Sequence, residues 1–355
     1  MASGPPVPPQ PVVQETTADL SALRAQKIPA HDIDKTRRIW NETLEKREYL
    51  KGLASRYDKI VICGVRDYFH TAGFVYKGWK DFLDKLEIPC TWIDNLESSS
   101  SFISPRSLVY YHDESYSQQK LKVKFNPEAS YIFHRADSLK PDFICQFRHI
   151  RLFEYRKVFE NNFNKTEKPV KIRNFTFLYP GQKVMLQPWG THLMPNEFLS
   201  PTSNRKTKKC FFIGTIWDQN KAILQIIQKD VETAGYEFVV KSRLSQADEK
   251  NITRYSFAAL APGHPGQVEQ SYLQCRIFKS ISYGRMVFTN VTGFRDILGD
   301  SFLPINNFAD ALNITRVLPE SVEREICKQQ QQSIYNYSYL DAWINMLEAM
   351  EACNP

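Results

Sequence analysis

Residues 254–290 read RYSFAALAPGHPGQVEQSYLQCRIFKSISYGRMVFTN. An apolar run, Phe257–Leu260, stops at Pro262-Gly263. An amphipathic stretch follows from about Gln267 to Tyr283, Gly284 ends it, and a second apolar run, Met286–Phe288, begins. The pattern predicts strand, turn, helix, glycine stop, strand. Strands joined by a crossover helix are parallel, so the helix N-terminus lies at the carboxyl edge of a sheet. Free backbone N–H groups and the helix dipole favour a phosphate there. Arg276 and Lys279 are three residues apart and fall on one face of the predicted helix.

The same alternation extends toward the N-terminus. A helix is expected from Asp34 to about Ser55, then a buried strand at Lys59–Cys63, a helix from Gly73 to Glu87 and a strand at Ile88–Ile93. Further strands are expected at Leu108–Tyr111, Tyr131–His134 and Asp142–Cys145. Residues 187–208 are rich in Pro, Asn and Lys and read as a connection. A second series starts at Lys209–Ile213, turns at Gly214-Thr215, and continues as a helix over 218–234, a strand over 237–240 and a helix over 246–254. Short helices follow at 293–298 and 306–317, and longer ones at 319–331 and 333–351. Alternating strands and helices imply a parallel sheet covered on both faces.

Length and composition fit this layout. The chain has 355 residues, 42% hydrophobic and 24% charged, which suits two α/β domains of ordinary size. The net charge of +7 biases the chain toward anionic partners such as nucleotide diphosphates. No long Lys/Arg block or RNA-binding motif accompanies it, so no nucleic-acid partner is expected. The densest basic cluster, Arg205–Lys209, reads as solvated linker. Seven scattered cysteines without CxxC or Cys/His spacing point to a reducing, cytoplasmic setting with no structural zinc. Residues 1–20 are Pro-rich and expected to be disordered, and they lack the apolar core of a signal peptide. No apolar stretch approaches the ~20 residues of a transmembrane helix. Seven Asn-x-Ser/Thr sequons occur and read as chance in a chain without a signal. No GxGxxG, Walker A, HExxH or GxSxG is present, which argues against classical dinucleotide, P-loop, metalloprotease and hydrolase chemistry.

The run CRIFKSISYGRMVFTN, residues 275–290, resembles the helix, Tyr-Gly, strand, Thr-Asn segment in the C-terminal half of GT-B glycosyltransferases. Gln187–Glu197, QPWGTHLMPNE, resembles the PWxTxLxPxE linker between the halves of bacterial, algal and viral members, which serve glycan synthesis. The resemblance implies an α/β fold of two Rossmann-like domains in GT-B architecture with an inter-domain cleft. Its implied boundaries are a disordered tail at 1–20, an acceptor domain at 21–187, a linker at 188–208, a nucleotide-sugar domain at 209–330, and a C-terminal helix at 331–355 packing back on the first domain. It implies transfer of a sugar from a UDP- or GDP-sugar to a hydroxyl of a glycan or glycoconjugate. The donor is a co-substrate, and no other cofactor is expected. The one Asp-x-Asp, the kind of pair that holds Mn²⁺ in GT-A enzymes, is Asp32-Ile33-Asp34, which sits at the start of the first predicted helix and not at a strand end. A metal-independent reaction is therefore expected, with helix ends and basic side chains balancing the leaving diphosphate.

The resemblance assigns roles residue by residue. Gly214-Thr215 would face the donor, a glycine there letting backbone N–H groups approach a phosphate. The alternative is a plain strand–helix turn. Lys241 and Arg243, beyond a strand end, would contact the diphosphate, Arg243 in bidentate fashion and Lys241 as a point charge; the alternative is a surface pair. Gly263 and His264 open the predicted helix and would meet the phosphate or sugar, or else form a ligand-free capped loop. Asn290 would meet the donor, or serve as a turn residue. Retaining members carry two glutamates where this chain has Ser271 and Lys279, so ribose recognition and retaining chemistry do not carry over. Arg276 and Lys279 instead suggest diphosphate contact, the alternative being an exposed or interface helix face. An inverting reaction needs a base. Asp67 and His70, after the first strand, are the leading pair, with His112-Asp113 and His134 next. Trp189 reads as hinge packing. The missing glutamates also leave open a non-catalytic carbohydrate-binding or scaffold protein of the same fold.

Overall fold

The computed structural model describes residues 30–64, 71–93, 103–112, 125–135, 140–163, 167–173, 176–214, 216, 218–303, 305 and 307–355. A long helix, α1 (Ala30–Ala54), precedes β1 (Lys59–Cys63), α2 (Thr71–Lys85), β2 (Cys90–Ile93), β3 (Ser107–His112) and β4 (Ser130–His134). A single turn, α3 (Pro141–Ile144), then leads to β5 (Arg148–Phe153), α4 (Arg156–Phe163) and the strands β6 (Val170–Arg173), β7 (Thr176–Tyr179) and β8 (Val184–Leu186). These strands form one eight-stranded sheet of order β2-β1-β3-β4-β5-β8-β7-β6. It is parallel from β2 to β8, while β7 and β6 are antiparallel at the edge.

Period-two alternation sends the apolar runs to two separate cores. Ile60, Ile62, Leu108, Tyr110 and Ile132 face α1, α2 and the last helix of the chain, with Trp79 and Trp343 between them. Val61, Cys63, Val109, Tyr111, Tyr131 and Phe133 face the opposite side, against Phe125, Ile144 and Phe147. Burial on both faces is why these strands are apolar throughout. One expected strand is corrected: Asp142–Cys145 lies in and just beyond α3. Pro141 at the first helical position presets a helical φ and needs no hydrogen-bond partner. The strand comes three residues later.

The second series is β9 (Lys209–Ile213), α5 (Asp218–Thr233), β10 (Glu237–Lys241), α6 (Gln246–Tyr255), β11 (Ala259–Leu260), α7 (Pro265–Glu269), α8 (Cys275–Ser282) and β12 (Val287–Phe288). Then come α9 (Arg295–Leu298), α10 (Phe308–Val317), α11 (Glu320–Ser333) and α12 (Tyr339–Cys353). β9 pairs in parallel with β10, and β11 in parallel with β12. β11 runs alongside β9, where Phe257 N donates to Lys209 O at 2.8 Å. The outer side of β12 is closed by a side chain: Gln330 accepts from Val287 N (2.9 Å) and donates to Val287 O (3.2 Å). Arg285, fully buried, ties the start of β11 through Ser256 O (2.8 Å) and Phe257 O (2.6 Å), with Glu323 beside it at 3.8 Å.

A further core joins Phe153, Phe159 and Leu186 of the first series to Ala259, Ile277, Phe278 and Val287 of the second. The segment after Trp189 pairs with the start of α12: Thr191 N donates to Tyr337 O (2.9 Å) and Tyr339 N to Thr191 O (2.8 Å). From there α12 runs back over the first sheet, and its Trp343, Leu347 and Met350 complete that sheet's core. Among the described residues, no helix is long and apolar enough to cross a membrane.

Candidate functional site

Parallel strands bring their carboxyl ends to one edge. Gly214 follows β9, Lys241 ends β10, Gly263 lies beyond β11, and Asn290 follows β12. Gly214 N donates to Lys241 O at 2.9 Å, so the first two ends are adjacent. The Arg276 guanidinium, from the first turn of α8, covers them. Its Nε donates to Ile213 O (2.9 Å), and its Cζ stands 4.2 Å from the centre of the Phe212 ring. A Cβ at residue 214 would be 2.4 Å from an Arg276 terminal nitrogen. A side chain at 214 would therefore push the guanidinium aside, which adds to the close-approach reason for glycine read from the sequence.

Arg276 is partly buried. Burial lowers its pKa, while Cys275, Glu249 and Tyr272 pull it back up. Among the described residues its terminal nitrogens donate to no protein group and meet no carboxylate within ion-pair distance. A half-buried cation lacking a counter-ion, set at the mouth of a strand, suits an anion with two acceptor oxygens. Lys241 and Arg243 are exposed at the next strand end. Arg243 takes the left-handed conformation, φ 57°.

Two expectations are corrected here. The helix expected from Gln267 to Tyr283 is broken: α7 ends at Glu269, Ser271 has φ 49°, and α8 restarts at Cys275. Tyr272 and Leu273 are drawn into the core against the first series, which overrides local helical propensity. Gly263 and His264 thus open a helix of only five residues, with a correspondingly small dipole. Nor do Arg276 and Lys279 form an open cationic face. Lys279 is 2% exposed, its Nζ 3.3 Å from Glu249 Oε2 and 3.6 Å from the centre of the Phe74 ring. Its charge is balanced within the fold.

Asn290 is also engaged. Its Oδ1 accepts from Gly263 N (2.8 Å) and its Nδ2 donates to Gly263 O (3.0 Å), so it clips the loops after β11 and β12 together. Gly263 has no room for a side chain, since a Cβ would stand 2.6 Å from Val291. His264 is partly buried, and burial lowers its pKa, so it is a neutral hydrogen-bonder near pH 7.

On the first sheet, Asp67, His70 and Asp113 lie outside the described residues, as does Thr215. His112 and His134 end β3 and β4 but are fully buried, so neither reaches an acceptor hydroxyl. His134 Nε2 bonds to Glu154 Oε2 at 2.6 Å, and Tyr76 bonds to its Nδ1. Burial would raise the Glu154 pKa, but Arg135 and His134 prevail and hold it at about 2. Trp189 is packing, as expected, 3% exposed and donating to the Tyr272 hydroxyl at 2.8 Å. His192 is pushed down to about 3 by burial and by Lys279, Lys250 and Lys85, marking a positive field at the junction of the two series. Glu154, Glu249, Phe212 and Phe74 were not singled out in the sequence, for their partners are distant in the chain. A shallow hollow lined by Asp296, Gly299, Asp300, Gln329, Gln332 and Ser333 shares no residue with the strand-edge site. Among the described residues no group of His, Cys, Asp and Glu is arranged to hold a metal ion.

No protein-family model matches the chain, and no curated protein matches it. Solved structures do match its fold. The N-terminal domain of trehalose-6-phosphate phosphatase from Candida albicans superposes with a TM-score of 0.52 at 8% identity, covering 83% of this chain and 97% of that one. The α,α-trehalose 6-phosphate synthase of Burkholderia multivorans gives 0.51 at 10% identity, with 84% and 100% covered. A UDP-forming α,α-trehalose-phosphate synthase from Burkholderia xenovorans, solved with glucose-6-phosphate, gives 0.50 at 9% identity, with 82% and 100% covered. At such identities the likeness is one of fold, and that fold is the GT-B α/β architecture.

Proposed function

We propose that this chain is a glycosyltransferase that moves a hexosyl or pentosyl group from a UDP- or GDP-sugar to a hydroxyl of a sugar or glycan, in glycan biosynthesis. The observation that carries the reading is the Arg276 guanidinium, held against Gly214 at the carboxyl end of β9 and without a counter-ion among the described residues, in a chain that shares its fold with sugar-nucleotide enzymes along more than four-fifths of its length. The donor diphosphate would lie over Gly214 and Thr215, gripped by Arg276 with Lys241 and Arg243 at its flank. The loop at Gly263, His264 and Asn290 would face the sugar. Lys279 would act from behind, through Glu249 and Phe74, rather than by contact.

Charge builds on the leaving diphosphate as the bond to C1 breaks, and pre-placed cations stabilise that charge without reorganising. No step requires a metal. For an inverting reaction, Asp67 or His70 takes the proton of the attacking hydroxyl. The two series would form separate acceptor and donor domains with the 188–208 linker between them. All seven cysteines are free, which fits the cytoplasm as the place of action.

The test is a thermal-shift and calorimetric panel of UDP, GDP, CMP, dTDP and their sugars, run with chelator present. One nucleotide should stabilise the chain in proportion to its occupancy. Arg276→Met should weaken that nucleotide about 10- to 100-fold, the effect of losing charge-assisted hydrogen bonds, and Arg276→Lys less. No shift with any nucleotide at millimolar concentration would refute the transferase reading and leave a sugar-binding scaffold.

A further inference from the structure

Between α7 and α8 the chain leaves the helical path and meets the first sheet. The contact runs backbone to backbone. Lys157 N donates to Gln270 O (3.3 Å), Leu273 N donates to Glu154 O (3.4 Å), and Tyr155 and Tyr272 form an isolated antiparallel bridge. Their rings stack with centres 4.4 Å apart and planes 17° apart. The Tyr272 hydroxyl accepts from the Trp189 indole at 2.8 Å.

On the first-sheet side the same short stretch is the hub of a buried polar group. The Glu154 carboxylate, 1% exposed, accepts from His134 Nε2 at 2.6 Å and from the Arg135 guanidinium. Arg135 has φ 50°, a conformation that a non-glycine residue keeps only where its surroundings hold it. Its guanidinium lies over the Tyr155 ring at 4.7 Å. The Trp189 ring stands 4.9 Å from that of His134 and closes the circuit. Glu154 thus holds the ends of β4 and β5 with its carboxylate and the start of α8 with its carbonyl.

We infer that Glu154 and Tyr272 are positioning residues for Arg276. Arg276 follows Tyr272 by four residues, in the first turn of α8, so the joint fixes where that turn begins. It sets the guanidinium against Gly214 and in register with the carboxyl ends of β4 and β5. The loops of the first sheet and the anion-binding arginine then move as one body. The inference rests on Arg276 being the anion anchor, and the experiment separates the two ideas.

Glu154→Gln keeps the shape and removes the charge; Tyr272→Phe removes only the bond from Trp189. Asp341→Asn breaks a buried ion pair with Lys46 away from the joint and supplies a control for general destabilisation. Hydrogen exchange and nucleotide affinity are measured on the full chain, with UDP and GDP as probes. Glu154→Gln should speed amide exchange over 270–283 by roughly tenfold or more, with 30–54 still protected, and should raise the nucleotide Kd by a similar factor. Tyr272→Phe should do the same more weakly. Exchange over 270–283 that matches wild type, or loosens no more than in Asp341→Asn, overturns the inference. Loosening as expected in a protein whose wild type binds neither UDP nor GDP upholds the joint and overturns the transferase reading.

Discussion

Glu154 shows how a single buried charge writes itself into the pH dependence of the fold. Its pKa of about 2 lies below the ~4.3 of an unfolded glutamate. A depressed carboxylate contributes stability that is present above the unfolded value and lost as pH falls toward the folded one. Two units correspond to about 3 kcal/mol as an order of magnitude. Wild type should therefore lose stability between roughly pH 4.5 and pH 2. Glu154→Gln, already destabilised at pH 7, should lose less over that range, so the two denaturation curves converge on acidification. Curves that stay parallel would show that Arg135 and His134 do not hold the carboxylate ionised. Arg276 teaches a complementary lesson at this scale. Its residue type and its neighbour Gly214 were both readable as anion-binding, but the reason for the glycine was not, because the guanidinium that needs the space lies 62 positions away (276 − 214).

At the scale of elements, α8 ends as the sequence said it would. Gly284 N donates to Ile281 O (2.9 Å) and Arg285 N to Ser280 O (3.1 Å), the pair of bonds that closes a helix on a left-handed glycine. Gly284 has φ 81°, and a Cβ there would stand 2.4 Å from Ser200 O. Gly284→Ala should destabilise by about 2–4 kcal/mol, summing the left-handed penalty and the clash. A chemical denaturation midpoint checks it, and a loss below ~0.5 kcal/mol, the range of a neutral surface change, would mean the loop from Leu199 to Thr202 gives way freely. Periodicity identified most strands and helices here, since Lys59–Cys63 is a buried run and Lys209–Ile213 an apolar one that buries Cys210 and Phe212, both with clear polar borders. It failed where tertiary contact outweighed local pattern. The 267–283 segment has helical spacing throughout, yet Tyr272 and Leu273 are buried against Glu154 and Tyr155, and the helix breaks to reach them. Lys279 failed for a related reason: spacing gave its face of the helix, but only the fold shows that Glu249 and Phe74 already occupy that face.

At the scale of the whole molecule, the chain closes on itself. Its last helix finishes the core begun by its first strands, with Trp343, Leu347 and Met350 against Trp79, Tyr110 and Ile150. Removing residues 337–355 should therefore cripple the first sheet although the cut lies far from it in sequence. The expected result is loss of a cooperative melting transition, since one buried tryptophan alone accounts for about 3–5 kcal/mol in a fold whose net stability is on the order of 5–15 kcal/mol. A truncated chain that melts sharply near the wild-type temperature would show that α12 is dispensable to the sheet.

The Gln330 side chain on β12 has a consequence for colloidal behaviour. An open strand edge is a template on which another chain can add. Here the amide of Gln330 mimics the next strand, accepting from and donating to Val287 as a backbone peptide would. It belongs to α11, so the seal lasts only while that helix stays docked. Local detachment of α11 would uncover Val287 and Phe288 together, an apolar edge with free backbone groups, and turn a self-contained molecule into one able to recruit copies of itself.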